Sequence, residues 1–217
     1  MAHHEAIVTE IEELAPSIVQ LTVAVHGDSF SFEPGQWVNF RFPEGVSRAY
    51  TIASASQRPQ AVQLCVRVGA GRGGDALKKL EAGLAVAIDG PYGDFVLPPN
   101  DGRNVVLLAG DTGIAPVRSI VLSMLAEKDP RSITVLYEPD QRYILYAADF
   151  DPLARAGDIV HESGPIDVLI DRNRRAVNGG AVMAVGFDPF LDRARRALEA
   201  LAVQWDDVIS ESFGPQP

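Results

Sequence analysis

Up to about residue 100 the chain runs in short stretches where apolar and polar positions alternate. Residues 6–11, 18–25 and 37–42 carry Val, Ile, Thr and aromatic side chains at every second position, which predicts strands with one face buried. The same reading extends to 48–54, 62–68 and 86–88. Pro34-Gly35 and Gln57-Arg58-Pro59-Gln60 supply turns between them. One short helix is predicted over 75–80, with Asp75 as its N-cap. Strands this short and this regularly spaced predict a closed antiparallel barrel. The stiff polar break Pro98-Pro99-Asn100-Asp101-Gly102 then ends the pattern. Beyond it, continuous apolar runs at 105–109, 133–137 and 181–185 alternate with helical segments at 115–126, 166–177 and 189–203, and shorter strands are expected at 159–160 and 208–209. Unbroken apolar strands separated by helices predict a parallel sheet covered on both faces, with ligands at the carboxyl ends of its strands. The expected organisation is therefore a two-domain chain, an antiparallel barrel over 1–100 and a doubly wound α/β domain over 101–217.

Composition narrows the chemistry. The 217 residues carry 19 Lys and Arg against 29 Asp and Glu, a formal charge of −10, which disfavours a nucleic-acid partner because phosphate-backbone binding needs clustered cations. The single cysteine, Cys65, excludes an iron–sulfur cluster held by this chain's cysteines and any internal disulfide; flanked by Leu64 and Val66, it is expected in a buried strand. His26 and His161 have no metal-ligand or catalytic-triad spacing around them, so no metal site is expected. No apolar stretch is long enough to span a membrane and the N-terminus lacks a signal-peptide pattern, so a cytoplasmic location is expected.

Three features remain that carry chemistry. The stretch Arg48-Ala49-Tyr50-Thr51 places a guanidinium, an aromatic ring and a hydroxyl within four residues of one strand, a set that suits a ligand bearing both phosphate and a flat ring. The loop Gly69-Ala70-Gly71-Arg72-Gly73-Gly74 opens onto the short helix with Arg67 and Arg72 beside it, and exposed backbone amides attract anions. Gly110-Asp111-Thr112-Gly113 sits between a strand and a helix of the second half, where bare amides hold a dinucleotide pyrophosphate, although it is neither G-x-G-x-x-G nor a Walker loop.

In this order the motifs resemble those of the ferredoxin–NADP reductase-like flavoproteins, nearly end to end. The resemblance implies a six-stranded Greek-key barrel that holds FAD and an NAD(P)-binding second domain. It implies that Arg48 reaches the flavin phosphate, Tyr50 lies against the isoalloxazine and Thr51 hydrogen-bonds near its N5, with Ala49 between them. Val66, Arg67 and the loop residues Gly71, Gly73, Gly74 and Asp75 would complete the flavin site. Asp89-Gly90-Pro91-Tyr92-Gly93-Asp94-Phe95 resembles the family's G-P-x-G-x-F turn. Gly110, Asp111, Thr112 and Gly113 would take the nicotinamide nucleotide, with Val185, Gly186 and Phe187 where the family has Cys-Gly-Pro. The ending Glu211-Ser212-Phe213-Gly214-Pro215 resembles that of flavohaemoglobin reductase modules, which implies Glu211 near the nicotinamide and Phe213 over the flavin.

Departures from the family pattern shape the functional expectation. Gly74 replaces a Ser or Thr that contacts the flavin phosphates in many relatives, leaving backbone amides for that task. Asp111 replaces a second Gly, and its carboxylate opposes a pyrophosphate unless it points away or meets a cation. Val185 replaces the cysteine that approaches the nicotinamide. After the second strand of the nucleotide domain, Glu138 and Asp140 favour a ribose hydroxyl over a 2′-phosphate, while Arg142 pulls the other way; NADH is expected over NADPH. The function expected is an NAD(P)H-dependent flavoprotein reductase that passes electrons through FAD to a separate acceptor, an electron-transfer protein, an oxygenase component or a small molecule, with Thr51 and Glu211 as catalytic residues. Two alternatives stand beside it. One is a free-flavin or ferric reductase that holds flavin loosely. The other is a flavin-binding electron-transfer subunit that no longer oxidises NAD(P)H.

Overall fold

In the computed structural model, which describes residues 2–27, 30–140 and 143–216, the alternating first part forms six antiparallel strands. These are β1 (His3–Ala15), β2 (Ile18–Val25), β3 (Trp37–Arg41), β4 (Ser47–Thr51), β5 (Ala61–Arg67) and β6 (Ala85–Tyr92), in the order β4-β3-β6-β1-β2-β5. The two ends of this sheet meet: Ile52 and Leu64 form a bridge, and the Ala53 N–H donates to the Gln63 carbonyl at 2.7 Å. Closure removes the open edges that would otherwise invite pairing with another chain. The predicted alternation places Val8, Leu21, Val23, Val38, Phe40, Val62, Leu64 and Ile88 inside, each at 0% exposure. Burying one such side chain stabilises the fold by roughly 1.5–3 kcal/mol.

One local expectation is corrected. Helix α1 spans Arg72–Leu77, not 75–80, and its N-cap is Gly71 at φ 83°. Asp75 is not the cap: it lies inside the helix, exposed, with its N–H donating to the Gly71 carbonyl at 3.0 Å. Glycine takes a positive φ without steric cost, so the cap falls four residues earlier than side-chain capping predicts.

The second pattern forms five parallel strands, β7 (Val105–Gly110), β8 (Ile133–Glu138), β9 (Val160–Ser163), β10 (Ala181–Gly186) and β11 (Ile209–Ser212), ordered β11-β10-β7-β8-β9. Every residue of β7 and β10 is buried, as their unbroken apolar runs predict. The strand order reverses between β7 and β10, the place where open α/β sheets bind ligands. Helices α2 (Ile114–Glu127), α3 (Ala147–Ala156), α4 (Ile166–Arg172), α5 (Arg174–Gly179) and α6 (Asp188–Ala200) make the connections. The single helix expected over 166–177 breaks at Asn173, whose side chain instead donates to the Leu169 carbonyl and to Glu162. Helix α3 has no counterpart in the sequence reading, because Pro152 reads as a breaker yet sits inside it.

By backbone contacts the chain divides into two compact units, 1–97 with 118–127, and 98–117 with 128–217. The second half of α2 thus groups with the barrel. There Arg118 donates to the Ala53 carbonyl and to Gln63 Oε1, both at 2.8 Å, and the Ser119 hydroxyl donates to the Ser54 carbonyl at 2.7 Å. Among the described residues no helix is long and apolar enough to cross a membrane, and no group of three or more His, Cys, Asp or Glu is placed to hold a metal.

Candidate functional site

In the first unit the site is built on β4. Its antiparallel register with β3 sets Arg48 opposite Phe40 and Tyr50 opposite Val38, and directly opposed residues share a face. Arg48, Tyr50 and Ile52 therefore share one face, along which exposure falls from the exposed Arg48 through the half-buried Tyr50 to the buried Ile52, while Thr51, opposite Trp37, takes the other. The Tyr50 ring is half-buried and meets Phe42 edge-on, with centroids 6.5 Å apart, and Phe40 at 6.0 Å. Burial pushes the Tyr50 phenol up to about 12, against the opposing pull of the Arg48 charge, so it stays protonated across the physiological range. Thr51 is half-buried; its partner across the strand, Trp37, also pairs with Tyr92, their rings 4.8 Å apart. Ala49 is exposed between them.

Arg48 connects this strand to the glycine loop. Its guanidinium lies so near Gly73 that a Cβ there would sit 2.7 Å from Nε. The opening of α1 and the Arg48 cation thus occupy one locality. Gly74 is constrained more severely: a Cβ would meet the Gly69 carbonyl oxygen at 1.8 Å. The loop folds back until its own backbone fills the space a side chain would need, which is the physical reason that neither Ser nor Thr stands at 74. Gly71, Gly73 and Gly74 leave only backbone donors here. Arg67 ends β5 half-buried, whereas Val66 is wholly buried, and any contact it makes with a ligand is through its backbone.

In the second unit the turn after β7 gathers the other set. Gly110, Asp111, Thr112 and Gly113 are all buried. A Cβ on Gly113 would lie 2.4 Å from the Val185 carbonyl oxygen, so this glycine permits the β7–α2 turn to close against the end of β10. Asp111 takes φ 52°. Among residues with a side chain, Asp tolerates that left-handed region better than most, which makes it a workable substitute for glycine. Val185 is at 0% exposure, so its side chain presents nothing to a ligand. Glu211 pairs with Val185 in the β10–β11 register and is half-buried. The chain end is tied to the β10–α6 turn: the Phe213 N–H donates to the Gly186 carbonyl, the Asp188 N–H donates to the Gly214 carbonyl, and the Ser212 hydroxyl meets the Asp188 carboxylate. Phe187 and Phe213 meet edge-on at 5.8 Å.

A cleft of about 170 Å³ opens beside this turn, with Gly110, Asp111, Glu138, Asp140 and Phe187 in its wall. Two residues that the sequence reading passed over also line it. Phe190 stands against both Gly110 and Gly186, where a Cβ would collide with its ring. Arg193 forms an ion pair with Glu138, whose other oxygen accepts the Ile166 N–H at 2.8 Å. Arg193 lies one helical turn after Pro189, in a segment whose charges read as an ordinary solvated face; nothing in the local pattern singles it out. Arg142 lies outside the described residues. The structure thus brings Arg48, Tyr50, Gly73 and Gly74 together in one unit, and Gly110–Gly113, Glu138, Val185–Phe187, Glu211 and Phe213 in the other.

Residues 5–97 match the oxidoreductase FAD-binding domain family. The chain is 32% identical over 160 residues to a ferredoxin–NADP reductase B from Sorangium cellulosum, covering 71% of this chain and 66% of that protein. It is 32% identical over 185 residues to the reductase subunit of an aromatic O-demethylase from Amycolatopsis, covering 81% and 54%. It thus spans about half to two thirds of the length of these curated relatives. Among solved structures, an Amycolatopsis cytochrome P450 reductase shares the fold at a TM-score of 0.85 and 23% identity, over 99% of this chain and 70% of that one. The flavohaem-like FAD/NAD-binding domain of a Vibrio cholerae nitric oxide dioxygenase does so at 0.82 and 19%, over 98% and 99%. The chain belongs to the ferredoxin–NADP reductase-like flavoprotein family, and its residues 5–97 are an oxidoreductase FAD-binding domain.

Proposed function

We propose that this chain is a reductase that takes electrons from NAD(P)H, NADH preferred, through FAD held by residues 1–100, and delivers them to a separate acceptor such as an oxygenase component or electron-transfer protein. Residues 101–217 bind the nicotinamide nucleotide. The observation that carries this reading is the approach of Arg48 to Gly73, which joins the ring-binding strand to the anion-binding loop. The residues fit an FAD: a guanidinium fork and loop amides for its phosphates, a neutral phenol and a hydroxyl for its ring. When bound, the flavin supplies the step between two-electron and one-electron chemistry.

The chain's own groups supply orientation and electrostatics. Arg48 offsets phosphate charge, and Gly71, Gly73 and Gly74 let the backbone approach. Thr51 donates or accepts at a ring nitrogen according to its protonation. Tyr50 keeps its proton, so the ring face it offers carries no charge to repel an electron-rich flavin. Glu211 serves as a polar anchor near the nicotinamide, and the nicotinamide's pool makes a cytoplasmic location the natural one. The acidic lining of the nucleotide cleft, Asp111 and Asp140 beside the Arg193-paired Glu138, opposes extra phosphate, which favours NADH.

A second reading, a flavin-binding subunit without nicotinamide turnover, is motivated by the fully buried Val185 where relatives present a cysteine. Rapid mixing of the purified yellow protein with NADH separates the two. Bleaching of the absorbance near 450 nm, roughly where oxidised flavins absorb, is the expected result. Persistent absorbance with either NADH or NADPH sinks the reductase reading. Loss of the colour on gel filtration would instead place the flavin as a loosely held substrate.

A further inference from the structure

Arg193 has no assigned part in the function proposed above, yet among the described residues it is the basic one in the wall of an otherwise acidic cleft. Asp111, Glu138 and Asp140 line the same space. The guanidinium is fixed from two sides. It donates to the Pro189 carbonyl at 3.0 Å, one turn back on α6, and it pairs with Glu138 Oε1. Glu138 is held in turn: its Oε2 accepts the Ile166 N–H at the start of α4. Both oxygens of this carboxylate therefore already have donors.

That arrangement changes what Glu138 does to a nucleotide. A carboxylate at the end of the second strand favours a ribose diol by accepting its hydroxyls, and disfavours a 2′-phosphate by repulsion. Here a diol must compete with a charge-assisted bond from Arg193, which is about twice as strong as a neutral one. A 2′-phosphate meets a carboxylate already neutralised by the adjacent guanidinium, whose five donors in a fixed fork suit phosphate oxygens. We infer that Arg193 is a selectivity-determining residue: by latching Glu138 and supplying the cation, it opens the cleft to adenylates carrying a 2′-phosphate. NADPH is then accepted as well as NADH, although the acidic lining still favours the latter. The inference rests on the reading of this cleft as the site of the adenylate half of the coenzyme.

Equilibrium binding of two fragments tests it without any turnover. Adenosine 5′-monophosphate and 2′-phospho-adenosine 5′-monophosphate are titrated into the full chain and into Arg193→Ala, with Arg193→Lys as a variant that retains the charge and stem. The expected result is a roughly tenfold loss for the 2′-phosphorylated fragment in Arg193→Ala, the scale of one charge-assisted contact. Loss for the plain fragment should stay below about twofold, and Arg193→Lys should recover part of the difference. Equal losses for both fragments, or no loss for either, overturn the selectivity role while leaving the cleft as an adenylate site. Failure of both fragments to bind the unaltered chain overturns the reading of the cleft itself, and this inference with it.

Discussion

At the scale of single residues, the positions that depart from the family pattern are those where backbone conformation and local space decide the side chain. Gly74 cannot become serine while the Gly69 carbonyl occupies the place of its Cβ. Asp111 is the converse case, a side chain held where glycine would be easier. Its φ of 52° costs an ordinary residue on the order of 1–2 kcal/mol, and less for Asp. Asp111→Gly should therefore leave stability within about 1 kcal/mol of the original, because relief of the left-handed strain is offset by the greater entropy of an unfolded glycine. Its effect should fall on binding. If the turn binds the coenzyme pyrophosphate as proposed, removing its carboxylate should tighten NADH several-fold, as read by titration of the oxidised protein with NAD⁺ or a non-reacting analogue. Unchanged affinity would show that the carboxylate does not oppose the ligand.

At the scale of elements, the edge of the parallel sheet carries a built-in sensitivity to acid. Strand β9 is short and lies at the edge, and its His161 packs against Phe150 of α3 with ring centroids 5.0 Å apart. The imidazole is only 5% exposed, and its Nε2 has no hydrogen-bond partner among the described residues. Burial lowers its pKa below the ordinary 6.5, opposed by Asp151, whose oxygen lies 3.8 Å from Nδ1. The sign follows from linkage. Below pH 6.5 the unfolded chain takes up a proton at this position that the folded chain resists, so stability is present above that pH and lost as the pH falls. His161→Phe keeps a ring against Phe150 and removes the titration. The drop in melting temperature between pH 7 and pH 5, roughly the span over which an ordinary imidazole charges, should be smaller in this variant. An identical drop in both proteins would assign the acid sensitivity elsewhere.

At the scale of the whole molecule, the boundary between the compact units does not coincide with the break in the sequence pattern. Pro98 to Gly102 marks the end of the alternating strands, but residues 118–127 also group with the barrel. Arg118 is buried, and its donors satisfy the Ala53 carbonyl just beyond β4 and the Gln63 side chain of β5. Arg118→Ala should cost about 3 kcal/mol, the scale of charged hydrogen bonds lost together with acceptors left buried. Denaturant unfolding of the full chain measures this directly. A loss within about 0.5 kcal/mol, as for an ordinary surface site, would show that these bonds do not hold the barrel.

Much of this architecture was legible along the chain, because the period of apolar positions is a local property. A period of two marked the six strands of the barrel, and unbroken apolar runs marked β7, β8 and β10, since a strand buried on both faces has no polar side to display. The Arg48-to-Thr51 cluster and the glycine turns were also legible, because each is held within a few consecutive residues. Other features were decided only by the folded chain. The Gly71 cap of α1 depends on a backbone angle rather than a side-chain preference. Gly74 is fixed by a carbonyl five residues away in a folded loop. The Arg193 latch on Glu138 joins groups 55 positions apart, and the Arg118 bonds span 65 and 55. Local pattern sets which elements form, because the forces behind it act between near neighbours. Which charges face one another across a cleft is set by how the chain returns on itself, and no window of sequence contains that return.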